Sequence, residues 1–240
     1  MEVITSKALD WSKFAPMFHP SWHKGMQGII ESKEMWNIYQ FLKDESRMGK
    51  RLCPRSGDVF AGFQVDLDKL EVVVMGMDVY PQWRNGKPVA NGIAMDCSIY
   101  GKLSPTLEKL YKGFSEDLGE PDYEQPLSLK YLVDQNILLT NAALTCERDM
   151  SGKHLGIWKP FWELVFDKIF ADKYLIFIFL GRDAQKYARL TVPFNHYVFK
   201  VEHPVAASYQ HRDWITDGTF SKVNKLLREE KKQEILWLKK

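Results

Sequence analysis

The chain alternates short apolar runs with amphipathic segments along most of its 240 residues. Apolar runs of strand length occur at 72–75, 137–140 and 174–180, and the segment 196–201 alternates apolar and polar positions. Helical spacing of apolar residues predicts helices over 35–46, 107–114, 158–171, 184–190 and 220–238. Strands that alternate with helices predict one α/β domain, 1–240, with a central, mostly parallel, four-stranded twisted sheet flanked by helices on both faces.

Composition and charge narrow the class of protein without identifying a partner. The chain is 45% hydrophobic, and its formal net charge of +2 permits an anionic partner without requiring one. The cysteines at 53, 97 and 146 have neither metal-motif spacing nor a disulfide framework, which indicates a reducing compartment. The N-terminus lacks signal-peptide features and no apolar run reaches membrane-spanning length. We therefore expect a cytoplasmic or otherwise intracellular protein, nuclear in a eukaryotic or viral setting.

Three polar side chains follow three of the predicted strands. Asp78 comes after the first apolar run, Asn141 after the second, and His203 after the alternating segment 196–201. Taken singly, an Asp or Asn at a strand end is usually a turn or cap residue, and a His before proline is usually structural. Because parallel strands place their carboxyl ends at one edge of a sheet, where ligands bind, we expect the three to converge. Their joint placement favours a functional site.

The residues around these positions resemble family 1 uracil-DNA glycosylases. The segment 76–81 (GMDVYP) is similar to the family's GQDPYH, 138–145 (LLTNAALT) to its LLLN run, and 203–208 (HPVAAS) to its HPSPLS. Further similarity at 49–64, 104–112, 181–186 and 219–227 extends the resemblance, in the right order, over nearly the whole chain. The resemblance implies the fold of that family and a monofunctional DNA glycosylase.

The resemblance also implies a role for each residue of the predicted site. Asp78 would orient a water molecule and stabilise the positive charge that develops on the sugar. His203, in its neutral form, would donate a hydrogen bond to O2 of the departing base. Asn141 would bind the Watson–Crick edge of a flipped pyrimidine, and Tyr80 would form a wall beside C5 of that base.

Contacts to the DNA backbone are implied in three loops. Small and hydroxyl-bearing residues at helix starts suit phosphates, because hydroxyl and backbone N–H groups can point at them. An arginine at 182, in place of a family serine, would add a charge contact or would be a solvated surface residue. The residues implied in backbone contacts are Ser104, Pro105, Thr106, Gly181, Arg182 and Ser208. Ala207 and Tyr209 complete the implied DNA-binding set.

Several departures from the family pattern affect base binding and base flipping. Met77, in the base-binding set, replaces a glutamine that contributes mainly backbone, and Met95 replaces the phenylalanine that stacks on uracil. Ala207 stands where the family inserts a leucine into the duplex; Tyr209 or another nearby side chain would have to fill that role. The loop after Pro81 is also longer than in typical members.

Three functions remain open from the sequence. The first is excision of uracil from DNA, which leaves an abasic site. The second is excision of a modified, 5-substituted pyrimidine, such as those of phage DNA, in defence. The third is a non-catalytic DNA-binding or replication accessory module, which the joint presence of Asp78, Asn141 and His203 disfavours. The expected partner is single- or double-stranded DNA, bound by a monomer without a membrane partner. Because the hydrolysis needs only water, no cofactor or metal is expected.

Overall fold

The computed structural model describes residues 8–240, so the first seven residues, to which the signal-peptide prediction applies, lie outside the described residues. The strands are β1 (Leu52–Cys53), β2 (Val72–Asp78), β3 (Trp83–Arg84), β4 (Lys87–Pro88), β5 (Ile137–Ala143), β6 (Cys146–Glu147), β7 (Ile176–Leu180) and β8 (Tyr197–Val201). The α-helices are α1 (His23–Ile30), α2 (Lys33–Arg47), α3 (Pro105–Leu118), α4 (Lys130–Val133), α5 (Leu155–Val165), α6 (Gly181–Gln185), α7 (Pro204–Tyr209) and α8 (Thr219–Glu229).

The central sheet has four strands in the order β5-β2-β7-β8, and every neighbouring pair is parallel. Val72 pairs with Ile137 on one side and with Ile176 on the other, which aligns the starts of three strands. The crossovers between parallel strands are helical, as the chain must return to the same end of the sheet. The predicted single-domain α/β fold with a helix-flanked, four-stranded parallel sheet is confirmed.

Two of the central strands are longer than their apolar runs. β2 continues to Asp78 and β5 to Ala143, since Gly76 pairs with Asn141 and Asp78 with Ala143 in the parallel ladder. Asp78 and Asn141 therefore lie inside strands, and not in the loops after them, as the apolar pattern predicted. A backbone ladder does not require apolar side chains, so hydrophobicity alone placed both strand ends too early.

The predicted C-terminal helix over 220–238 is wrong in its second half. α8 ends at Glu229, and the chain turns at Lys231, which has a φ of 56°. The side chain of Asn224 then bonds both backbone groups of Ile235, at 3.0 Å each. Trp237 is buried against the core. Burial of these apolar side chains stabilises the folded-back tail more than continued helix would.

The helix predicted over 158–171 begins earlier and changes character. α5 starts at Leu155, and a π-helical turn follows it from Phe166 to Phe170. This turn packs on the sheet, where Phe166 stacks on Phe177 with ring centroids 5.1 Å apart. No helix within residues 8–240 is long and apolar enough to cross a membrane.

Candidate active site

The fold brings the three predicted strand-end residues to the carboxyl edge of the sheet. Asp78 is the last residue of β2, Asn141 lies in the neighbouring strand β5, and His203 comes two residues after β8. α6, which begins directly after β7, links them: Gly181 lies against His203, and the charge of Asp183 acts on Asp78. The site is therefore assembled by parallel pairing from segments far apart in sequence.

One carboxylate oxygen of Asp78 is hydrogen-bonded, and the other is not. Its Oδ2 accepts hydrogen bonds from the backbone N–H of Gly152 at 2.6 Å and from the hydroxyl of Ser151 at 2.8 Å. Its Oδ1 has no hydrogen-bond partner among residues 8–240. Burial raises the pKa of Asp78, and the negative charge of Asp183 raises it too, while the two hydrogen bonds oppose this rise. An oriented carboxylate with one free oxygen can bind and polarise a water molecule.

His203 is oriented as a neutral hydrogen-bond donor. Its Nδ1 accepts a hydrogen bond from the backbone N–H of Val205 at 3.2 Å, because His203 is the N-cap of α7. The neutral ring then carries its proton on Nε2. Burial lowers the pKa of His203 to about 4, so the ring is neutral at physiological pH. Gly181 has a φ of 84°, and a Cβ there would lie 2.9 Å from Cβ of His203, so only glycine permits this approach.

Asn141 is buried, yet its side-chain amide makes no hydrogen bond to another described residue. The amide atoms themselves are not enclosed, because the fully buried polar atoms without a partner among the described residues belong to Glu45, His154, His196 and Trp237. The amide is therefore open to a ligand or to water. Gly76, its partner in the ladder, gives it room, because a Cβ at Gly76 would lie 2.6 Å from Oδ1 of Asn141. The amide therefore offers a donor and an acceptor beside the carboxylate of Asp78.

Tyr80 and Met95, two residues of the predicted base-binding set, lie in contact. The hydroxyl of Tyr80 lies 2.8 Å from Oγ of Ser104 and 3.5 Å from the carbonyl oxygen of Met95. Burial raises the pKa of Tyr80, so its hydroxyl stays protonated. Met95 is buried with a φ of 64°, a backbone conformation that costs an L-residue about 1–3 kcal/mol. Asp96 stabilises this turn, accepting hydrogen bonds from the backbone N–H groups of Ser98 and Leu129.

Met77, the other predicted base-binding residue, lies within β2 and is half-buried. Its side chain points towards the loop that holds Asp78, since a Cβ at Gly152 would lie 3.0 Å from Cε of Met77. The end of the side chain therefore packs on that loop.

The predicted phosphate loop at 104–106 is more buried than the sequence suggested. Ser104 is the N-cap of α3, and its Oγ is bonded to Tyr80 and to the backbone N–H of Leu107. The side chain of Thr106 is buried as well, so neither hydroxyl-bearing side chain is exposed. Pro105 is exposed, and its carbonyl oxygen accepts a hydrogen bond from the hydroxyl of Ser208 at 3.1 Å. Ser104 connects Tyr80 to the first turn of α3.

α7 corrects the prediction for the duplex-inserting position. Ala207 is fully buried, with 0% of its surface exposed, so it does not reach DNA. Tyr209, two residues later at the end of the same helix, is 79% exposed. Ser208 lies between them and ties α7 to Pro105. The one large, exposed aromatic side chain of α7 is therefore Tyr209.

Gly181 and Arg182 begin α6 directly after β7. The side chain of Arg182 is exposed, while Gly181 is half-buried beneath it. Arg182 has no carboxylate within 4.0 Å in the range 8–240, so it is open to an anion at the sheet edge.

Sequence reasoning missed the groups that hold Asp78. Ser151 and Gly152 bond Asp78 from a loop that carries no family-like motif, and Asp183 of α6, in the family-like segment 181–186, acts on it through its charge. The loop is anchored behind the site, because Lys153 forms ion pairs with Glu147 and with the buried Glu45 of α2. A serine-glycine pair is a common turn signal and gave no reason to single it out. In the part of the chain that is described, no group of His, Cys, Asp and Glu side chains could hold a metal ion.

The chain is similar in sequence to known uracil-DNA glycosylases. No protein-family model matches the chain. It is 28% identical over 220 residues to uracil-DNA glycosylase of Pseudomonas aeruginosa, covering 90% of this chain and 93% of that protein. It is 29% identical over 225 residues to uracil-DNA glycosylase of Yersinia pestis, covering 90% and 94%.

A solved structure gives the same picture of the fold. The crystal structure of mimivirus uracil-DNA glycosylase superposes with a TM-score of 0.81 at 19% identity, covering 99% of this chain and 96% of that one. At that identity the likeness shows the fold alone. The sequence relatives, aligned over nine tenths of the chain, support membership of the uracil-DNA glycosylase superfamily and a uracil-DNA glycosylase-like function.

Proposed function

We propose that this chain is a monofunctional DNA glycosylase that hydrolyses the N-glycosidic bond of uracil in DNA and leaves an abasic site. The observation that supports it most is the joint position of Asp78, Asn141 and His203 at the carboxyl edge of the sheet. Relatives named uracil-DNA glycosylase over nine tenths of the chain support uracil as the base.

In the proposed reaction, Asn141 binds the base, while His203 and Asp78 stabilise the charges that develop on the base and on the sugar. Asn141 pairs with the edge of a flipped uracil, and the bond between C1′ and N1 breaks with its electrons moving onto the base. His203 donates its Nε2 proton in a hydrogen bond to O2, where negative charge grows. The free Oδ1 of Asp78 stabilises the cationic sugar and accepts a proton from the water whose oxygen bonds to C1′.

The proposed flipping step relies on Tyr209. Its exposed ring, at the end of the helix that His203 caps, would enter the space left by the flipped base. An aromatic ring can stack between neighbouring bases, which stabilises the extrahelical state. DNA is thus the proposed partner, with single strands needing no such insertion.

The test is a glycosylase panel with purified protein. Labelled oligonucleotides would carry uracil in a single strand, opposite G and opposite A, alongside DNA with 5-modified cytosines and uracils, followed by alkali to break abasic sites. Cleavage at uracil is expected. Cleavage of modified DNA without cleavage at uracil would identify the excised base as a 5-substituted pyrimidine. It would also implicate Met95, which stands in place of the phenylalanine that stacks on the base. If no substrate is cleaved while the protein still binds DNA, the result would favour the non-catalytic module.

A further inference from the structure

The loop after β2, the strand that ends at Asp78, contains a small β-hairpin. β3 and β4 pair antiparallel, with Arg84 directly opposite Lys87. Asn85 and Gly86 join them with φ angles of 50° and 74°, as a tight two-residue hairpin turn requires. This hairpin accounts for the extra length that the sequence shows after Pro81.

Three cations meet on and beside this hairpin. Arg84 lies over the ring of Tyr100, with its Cζ 5.4 Å from the centroid, and donates a hydrogen bond to the carbonyl oxygen of the same residue. The Nζ of Lys102 lies 5.1 Å from the centroid of that ring. Lys87 faces Arg84 across the ladder. The side chains of all three cations are exposed.

This group, here called the hairpin patch (Arg84, Lys87 and Lys102), has no neutralising carboxylate. None of its cations has a carboxylate oxygen within 4.0 Å among residues 8–240. The sole acidic residue between 79 and 105 is Asp96, which is buried and bonded inward to Asn91, Ser98, Ser128 and Leu129. Like charges directly opposite each other destabilise a hairpin, so an anion bound between them would remove a repulsion.

The hairpin patch continues into the edge of the candidate active site. Lys102 is two residues before Ser104, whose hydroxyl bonds Tyr80 in the base pocket. The next residue, Pro105, contacts Ser208 beside the exposed Tyr209. Residues 104–106 carry no positive charge of their own. Lys102 of the hairpin patch is the cation that precedes them in the sequence.

We propose that the hairpin patch binds the phosphodiester backbone of DNA beside the flipped nucleotide, adding ionic contacts that the uncharged residues 104–106 cannot make. The inference rests on the proposed function, because it takes DNA as the ligand. Each cation that neutralises a phosphate releases a counterion, so the patch makes affinity salt-dependent.

The test compares salt dependence of DNA binding in matched variants. Affinity for a fluorescein-labelled duplex would be measured between about 50 and about 200 mM NaCl. The double variant Arg84→Gln/Lys102→Gln is expected to reduce the slope of log Kd against log salt by about 1.8. Lys87→Gln, a side chain without a described structural contact, is expected to reduce it by about 0.9.

The control is Lys24→Gln/Lys168→Gln, which removes two exposed charges from α1 and from the π-helical turn that precedes β7, away from the carboxyl edge. Its slope should equal that of wild type, and thermal unfolding would check that every variant is folded. Folded variants with a wild-type slope would overturn the inference, even if they release uracil. Failure of the proposed function would appear separately, as a wild-type protein that binds DNA and releases no base.

Discussion

The backbone N–H of Gly152 donates a 2.6 Å hydrogen bond to Oδ2 of Asp78, across 74 positions of sequence. Ser151 adds its hydroxyl to the same oxygen. The loop that provides both groups is fixed by the ion pairs of Lys153 with Glu147 and Glu45. The orientation of the candidate catalytic carboxylate therefore depends on a loop and on an ion-pair network behind it.

Asp78→Asn should lower the single-turnover rate of base release on the order of 10²–10³-fold, because it removes a charge that acts on the developing sugar cation. The amide is nearly isosteric, so DNA affinity should stay close to that of wild type. Rapid-quench kinetics and fluorescence anisotropy would measure the two quantities. Near-normal base release would remove Asp78 from the mechanism.

The pH at which activity falls on the acid side of the pH–rate profile, its acid limb, should move in opposite directions in Ser151→Ala and Asp183→Asn. Asp78 acts when ionised, so activity falls as pH decreases through its raised pKa. Ser151→Ala removes a hydrogen bond that lowers this pKa and should move the limb to higher pH. Asp183→Asn removes a charge that raises it and should move the limb to lower pH.

The measurement for this pair is kcat/KM as a function of pH. Asp167→Asn, an exposed residue of the π-helical turn, is the matched control and should leave the limb in place. Shifts of equal sign in Ser151→Ala and Asp183→Asn would show that Asp78 does not set the limb.

Asn141→Asp should move base preference from uracil towards cytosine. The carboxylate loses the amide's donor and can accept a hydrogen bond from the exocyclic amino group of cytosine. Each bidentate contact discriminates by about 1–3 kcal/mol, so the ratio of the two rates should change on the order of 10-fold or more. Paired oligonucleotides with uracil or cytosine at one position would measure it. An unchanged ratio would mean that Asn141 does not contact the base edge.

Tyr209→Ala should reduce activity on duplex uracil while activity on single strands stays near wild type, since only the duplex leaves a gap to fill. Stacking of an aromatic side chain on a base contributes about 1–3 kcal/mol, which sets the size of the expected loss. Tyr209→Phe should retain most duplex activity. Equal losses on both substrates would assign Tyr209 a structural role.

Restoring leucine at 207 should not supply the missing wedge. Ala207 is fully buried, so Ala207→Leu should overpack α7 and lower the free energy of unfolding by about 1–3 kcal/mol. Chemical denaturation would measure this loss. A stable variant with improved duplex activity would contradict the burial of this position.

Gly181→Ala should lower activity by displacing His203. A Cβ at this position would meet Cβ of His203 at 2.9 Å, and the φ of 84° is unfavourable for alanine. Gly156→Ala is the control, because that glycine is helical, has a φ in the ordinary range and has open space around it. The control should be neutral or stabilise the fold by about 0.5–1 kcal/mol. Equal activity in both variants would show that the approach of Gly181 to His203 is unimportant.

The sequence pattern predicted the order of the central elements well, and their ends less well. Apolar runs located β2, β5 and β7 because a strand buried on both faces is apolar nearly throughout, and alternation located β8, which is partly exposed. They placed the ends of β2 and β5 too early, since the ladder extends through Gly76 and Asn141. The C-terminal helix was predicted too long because local spacing cannot show that Ile235 and Trp237 are buried after a turn.

By itself, the sequence determined the strand-and-helix alternation, the parallel sheet and the expected convergence of Asp78, Asn141 and His203 at one edge. These follow from local periodicity and from the geometry of parallel strands. Only the tertiary structure decided that Ala207 is buried and Tyr209 exposed, that Ser151 and Gly152 hold Asp78, and that three cations gather at the hairpin. Burial and long-range hydrogen bonds depend on which distant segments pack together, and no local pattern of residues records that packing.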